Sequence, residues 1–162
     1  MPEVSAGVLA WRRGASGPEF LLVHPGGPFW RGKDAAAWSI PKGRVEAGEA
    51  DWAAALREFA EELGQPFPEA VVAGEPTPLA PCRMPGGKRV LAWLVEADLD
   101  VSKVSSNLFE MEWPPRSGRR QAFPEVDRAG WFDGPSALVK LHKGLRPILA
   151  EALDRLAAPS GV

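Results

Sequence analysis

The chain has 162 residues, with 19 Lys and Arg against 21 Asp and Glu and a formal net charge of −2. At roughly 150 residues per domain, one domain over residues 1–162 is expected. The balanced charge argues against a protein that coats nucleic acid through bulk positive charge. The single cysteine, Cys82, excludes an internal disulfide framework. Two histidines, His24 and His142, argue against a His-rich zinc site. No apolar run approaches the roughly 18 residues of a membrane span, and Met1-Pro2-Glu3 lacks a signal-like layout. A cytoplasmic protein without a membrane or stable nucleic-acid partner is therefore expected.

Residues 4–11 are apolar and β-prone, and a turn follows at Arg12-Arg13-Gly14-Ala15-Ser16-Gly17-Pro18. Residues 20–23 then form a second strand, so a hairpin is predicted. A Gly- and Pro-rich loop follows to residue 37, and 38–40 is a short strand candidate ended by Pro41. Residues 51–63 are the clearest helix. Asp51 is its expected N-cap and Gly64 its stop, and Trp52, Ala55, Leu56, Phe59 and Leu63 form its buried stripe. Val71, Val72 and Ala73 start a further strand region. Residues 89–95 read as a central strand, apolar on both faces. Residues 100–124 read as a long irregular stretch. Residues 129–132 are a last short strand. A helix begins at 138–141, is interrupted at Gly144 and Pro147, and gives way to a closing helix over 145–156. Strands alternating with helices predict an α/β sandwich.

At 100° per residue, Glu58, Glu61 and Glu62 fall on one side of the first helix, beside its apolar stripe. Three carboxylates this close repel one another. Their oxygens suit hard divalent cations such as Mg²⁺ or Mn²⁺. Arg57 borders them, four residues before Glu61.

Upstream stands Pro41-Lys42-Gly43-Arg44-Val45-Glu46-Ala47-Gly48-Glu49. Gly43, Glu49, Arg57, Glu58, Phe59, Glu61, Glu62 and Gly64 together resemble the Nudix box, G-x5-E-x7-R-E-U-x-E-E-x-G-U. Gln65 departs from it, standing where the pattern has an apolar residue. The resemblance implies a Nudix α/β/α sandwich with a mixed central sheet. It also implies a hydrolase of nucleoside diphosphates linked to another moiety. By that resemblance Glu58, Glu61, Glu62 and the carbonyl of Gly43 would bind Mg²⁺ or Mn²⁺. Glu58 would orient or deprotonate a water, Arg57 would hold the carboxylates, and Glu49 would anchor the loop. Glu125, six positions before Trp131, has the spacing of a second acidic residue in this superfamily. It is nominated as a further ligand or base.

Arg31, Lys33 and Lys42, with Arg116, Arg119 and Arg120 in the long stretch, could complement a polyphosphate. Phe109, Trp113 and Phe123 could stack on a base, and Trp30 and His24 could line a base pocket. The layout resembles diadenosine tetraphosphate hydrolases, and the segment from Ser106 to Gly118 resembles a signature of bacterial nucleotide pyrophosphohydrolases. The expected substrate is a dinucleoside polyphosphate or nucleoside triphosphate. Diphosphoinositol polyphosphate or ADP-sugar hydrolysis, a non-catalytic nucleotide-sensing module, and an isoprenyl diphosphate isomerase using Cys82 remain alternatives.

Overall fold

The structure is a computed structural model, and it describes residues 3–67 and 75–157. The strand expected at Val71, Val72 and Ala73 lies outside the described residues.

Among the described residues nine strands and three α-helices follow one another. They are β1 (Val4–Gly14), β2 (Gly17–Pro25), β3 (Lys42–Arg44), α1 (Asp51–Leu63), β4 (Thr77–Pro78), β5 (Cys82–Arg83), β6 (Arg89–Glu96), β7 (Leu108–Glu112), β8 (Arg120–Pro124), β9 (Val126–Asp133), α2 (Gly134–Lys140) and α3 (Arg146–Ala157). A seven-stranded sheet runs β4-β6-β1-β2-β9, with β3 added to β1 and β5 to β6. It is mixed: β1 is parallel to β6 and antiparallel to β2 and β3.

As its apolar run suggested, β6 is an interior strand, and β1 beside it is the middle strand of the sheet. Among the described residues the other edge of β6 carries the two-residue strands β4 and β5, and its side chains enter both apolar clusters, Val90, Ala92 and Leu94 one and Trp93 and Val95 the other. One edge of β1 pairs with β6 along Val4 to Trp11. The other edge is divided, with β3 at Ser5 to Gly7 and β2 at Trp11 to Gly14. Gly7 makes this possible, because a Cβ there would lie 2.6 Å from both the Lys42 side chain and the Pro41 carbonyl. The strand candidate at 38–40 proves to be two isolated bridges, Val23 to Ser39 and Trp38 to Leu141.

Each face of the sheet carries its own apolar cluster, so the molecule has three layers. On one face Ala54, Ala55, Phe59 and Leu63 of α1 bury against Val8, Ala10, Leu21, Val23 and Val95. On the other, Ile148, Leu149 and Ala152 of α3 meet Leu9, Phe20, Leu22 and Val90. Trp52 and Leu56 flank the α1 stripe half-buried. The N-cap of α1 is Ala50, and Asp51 is the first helical residue without a capping bond. Its carboxylate still favours the positive end of the helix. Gly64 ends the helix in the left-handed region at φ 73°, its N–H donating to the Ala60 carbonyl.

The stretch read as irregular holds an antiparallel hairpin, β7 with β8, pairing Leu108 to Pro124 through Glu112 to Arg120. Both strands lie largely in solvent, so no buried face imposed a period on their sequence. Helix α2 starts at Gly134, earlier than expected, because the Asp133 carboxylate caps it through the Ser136 N–H at 2.8 Å. Among the described residues no helix is long and apolar enough to cross a membrane.

Candidate active site

The site forms where β3 and the turn after it lie against the polar side of α1. The centre is Arg57. Its Nε and Nη2 fork onto both oxygens of Glu49, at 2.8 and 3.0 Å. Its Nη1 donates to Glu58 at 2.9 Å and to Glu61 at 3.2 Å, and Nη2 also reaches the Arg44 carbonyl at 2.9 Å. One guanidinium therefore ties the loop to two glutamates of its own helix. A planar fork with five donors can do this, and an ammonium cannot. The Arg57 bonds and the Glu46 N–H hold Glu49 down to about 2.

Glu58 is only 9% exposed. Burial raises its carboxyl above the usual carboxylate range, and Glu61 and Glu125 add to the rise. Gly43 lies directly on this carboxyl group: a Cβ built at Gly43 would overlap both Glu58 oxygens. Glu62 is pushed up to about 8, first by burial and then by the charge of Glu58. It accepts the Lys42 N–H at 3.3 Å. The Lys42 ammonium is lowered by its own burial, against the pull of Glu62. Its charge serves the acidic group as well as any ligand.

Glu125 comes from the junction of β8 and β9. Burial and Glu61 raise its carboxyl. A line of backbone bonds fixes it: the Gly26 N–H donates to the Glu125 carbonyl, the Glu125 N–H to Asn107, and the Asn107 N–H to Glu61, at 3.0, 2.9 and 3.0 Å. Glu58, Glu61, Glu62 and Glu125 are thus drawn from one helix and one strand junction into a single field of repelling negative charge. Arg57 and Lys42 offset only part of it.

This donor set is all oxygen and suits a hard divalent cation. Among the described residues no three His, Cys, Asp or Glu side chains already converge as a finished metal cage. The oxygens of Glu58 and Glu61 are turned to Arg57. Such a set fits a cation that keeps much of its water. A cavity of about 310 Å³ lined by Arg44, Val45, Glu46, Ala47 and Glu58 opens on the site. It adjoins a groove of about 580 Å³ between Glu3, Arg44, Asp51 and Arg89.

The other nominated residues divide into two groups. Arg31 and Lys33 are exposed on the loop after β2, with the Lys33 ammonium 5.5 Å from the Trp30 ring. Arg116 and Arg119 lie in the turn of the β7–β8 hairpin, five strand residues or about 17 Å along from its base. Arg120 stands 3.9 Å from Glu110. These arginines are not in contact with the acidic group. Trp113 packs edge-to-face on Phe29 at 5.6 Å, and Phe109 lies near Phe123 at 6.0 Å. His24 does not line a pocket: it is 1% exposed. Cys82 is buried, its thiol bonded to the Gly144 carbonyl. Gln65 donates to the Asp100 carbonyl at 2.9 Å, so a polar bond stands where the motif has an apolar contact.

Sequence reasoning missed Phe29, which is 59% exposed. Its signal was the preceding Gly26-Gly27. Gly26 lies against the Pro124 carbonyl, and Gly27, at φ 98°, lies against the Phe109 ring. Two glycines in this loop mark the place where the hairpin docks.

The NUDIX domain family matches residues 1–155. The chain belongs to the NUDIX family. It is a Nudix pyrophosphohydrolase, and Nudix enzymes generally use divalent metal cations. An Ap4A hydrolase from C. elegans, solved as a binary complex, is similar in fold with a TM-score of 0.65. The identity is 23%, over 96% of this chain and 98% of that one. The NUDIX domain of Shewanella oneidensis NrtR, complexed with ADP ribose, has a TM-score of 0.60 at 16% identity, covering 97% and 90%. A mutT/nudix family protein from Listeria innocua has a TM-score of 0.61 at 17% identity, covering 96% and 94%. No curated protein matches the chain in sequence.

Proposed function

We propose that this Nudix hydrolase cleaves a phosphoanhydride bond in a dinucleoside polyphosphate or nucleoside triphosphate, with Mg²⁺ or Mn²⁺. The observation that carries the reading is the group of four mutually repelling carboxylates, Glu58, Glu61, Glu62 and Glu125, with Glu58 lying against the bare backbone of Gly43. Glu58, Glu61, Glu62 and the Gly43 carbonyl would hold the cation. Bound there, it would neutralise phosphate charge and lower the pKa of a coordinated water. Glu58 orients the attacking water, with Glu125 as a further ligand or base. Arg57 keeps Glu58 and Glu61 at fixed rotamers. Arg31 and Lys33 supply positive charge for the polyphosphate, and the Phe29–Trp113 pair offers an aromatic platform for a base. The chain acts as one domain over residues 1–162, in the cytoplasm, on a small nucleotide.

The dinucleoside reading draws support from the near-complete overlap with the Ap4A hydrolase. A second reading, an ADP-sugar hydrolase or nucleotide sensor, draws on the ADP-ribose complex of the NrtR domain. The test is a substrate panel with Mg²⁺ and Mn²⁺, the products identified by chromatography. It holds diadenosine polyphosphates, canonical and oxidised dNTPs, ADP-ribose and diphosphoinositol phosphates. Turnover of a diadenosine polyphosphate or dNTP above the rest supports the reading. Turnover confined to ADP-ribose moves it to the second, and metal binding without turnover moves it to the sensor.

A further inference from the structure

A cavity of about 570 Å³ lies between the β1–β2 turn and the end of α3. Trp11, Arg13, Gly17, Arg155 and Leu156 line it. Sites for small organic ligands span ~300–1,000 Å³, so the volume is that of a ligand site.

The cavity is separate from the acidic group. Ala6, Val8 and Ala10 of β1 turn toward α1, and Leu9 and Trp11 turn to the opposite face of the sheet. Ala6 is the β1 residue paired with Gly43. Trp11 stands farther along the same strand, about 17 Å away at the usual rise per residue.

The charge of the cavity is one-sided. Among the described residues two arginines line it and no carboxylate does, in a chain whose formal net charge is −2. Each guanidinium is held from behind, through Nε. Arg13 Nε lies 3.4 Å from Glu96, and Arg155 Nε donates to Glu151 at 2.8 Å. Glu151 is itself fixed by the Ala80 N–H, at 2.7 Å. Among the described residues the terminal amino groups of both arginines lack an acceptor. A guanidinium anchored at Nε keeps its remaining N–H donors in one plane, the geometry that suits phosphate oxygens.

Trp11 supplies the other half. It is half-buried, and the Arg13 guanidinium lies 5.4 Å from its ring centroid. Ring and cation thus form one surface, and nucleobases stack on both kinds of plane. A smaller cavity of about 250 Å³ shares Trp11, Arg155 and Leu156 and adds Glu75 and Glu96. Those carboxylates repel a phosphate but not a neutral base. The two cavities therefore define a direction, with phosphate toward Arg13 and a ring across Trp11.

We propose that this cavity is a second nucleotide site, which takes a nucleoside monophosphate with its phosphate between Arg13 and Arg155 and its base on Trp11. It lies outside the hydrolytic site and stands independently of the hydrolase reading.

The test titrates AMP into ¹⁵N-labelled full-length protein with chelator present. The indole N–H signal of Trp11, assigned by its loss in Trp11→Phe, reports the site. A saturable shift of that signal is expected, with inorganic phosphate binding more weakly than AMP. Arg13→Gln and Arg155→Gln should each weaken the binding about tenfold, the worth of a charge-assisted hydrogen bond. Both side chains are largely in solvent, at 80% and 49% exposure, so the fold survives these changes. Glu58→Gln should leave the Trp11 titration unchanged. A Trp11 signal that AMP does not move overturns the proposal. So does an affinity that the arginine variants leave intact, or one that Glu58→Gln weakens. Equal affinity for inorganic phosphate and AMP overturns the assignment of a nucleotide.

Discussion

Gly43 and Glu58 touch, backbone against carboxyl, with no room for a side chain between them. Residue 43 is held on β3 by its pairing with Ala6, and residue 58 is on the buried side of α1. Sheet and helix therefore both fix this contact. It brings the Glu58 carboxyl group directly onto the side-chain-free backbone of β3.

Gly43→Ala tests that contact. The added methyl must push Glu58 aside or lift β3 from β1. A displacement of about 1 Å at a reacting group costs on the order of 10²-fold in rate. We expect kcat to fall by about that factor while circular dichroism remains that of the wild type. Wild-type kcat in Gly43→Ala contradicts the role given to this close approach.

Arg57→Lys separates charge from geometry. Lysine keeps the positive charge but cannot bond Glu49, Glu58 and Glu61 together. Loss of such a supporting partner typically costs 10–100-fold in metal affinity or activity. Mn²⁺ titration and steady-state kinetics should both register a loss in that range. A variant within twofold of wild type in both would mean that the guanidinium fork is dispensable.

The pH dependence of stability without metal should report Glu62. Burial raises its pKa from 4.5 to about 8 in the folded state. A raised folded pKa stabilises the fold fully below the unfolded value of 4.5, and that contribution disappears as pH rises through about 8. With chelator present, wild-type Tm should therefore drop relative to Glu62→Gln between these two values. Parallel Tm curves for the two proteins contradict the burial of an ionisable Glu62.

Leu149→Ala should act on stability alone. Leu149 is fully buried on α3, in the cluster on the opposite face of the sheet from α1. Truncation of a buried leucine costs ~2–5 kcal/mol. Chemical denaturation should show that loss, while kcat per folded molecule stays within about twofold.

The helix carrying the carboxylates was legible because a 3.6-residue apolar period and a fixed motif coincide on residues 51–64. The hairpin at Leu108–Glu112 and Arg120–Pro124 was not, because both strands lie largely in solvent and no core selects their residues. The interior placement of β6 was legible because its run is apolar on both faces. Asp51 was misassigned by one position, within the usual uncertainty of a helix end. His24 gave no local signal at all. Its partners, Lys33 and Asp127, lie 9 and 103 residues away, and only the fold brings them together.

The central claim is that Glu58 serves metal-dependent hydrolysis. The most direct measurement compares wild type with Glu58→Gln on the best substrate of the panel, in Mg²⁺ and again with chelator. The amide keeps size and burial but loses the charge that holds a cation and orients water. General-base or metal-ligand loss of this kind is worth ~10²–10⁴-fold. We expect wild-type turnover that vanishes with chelator, and a Glu58→Gln rate lower by about that range. Equal metal-dependent rates in the two proteins would contradict the account.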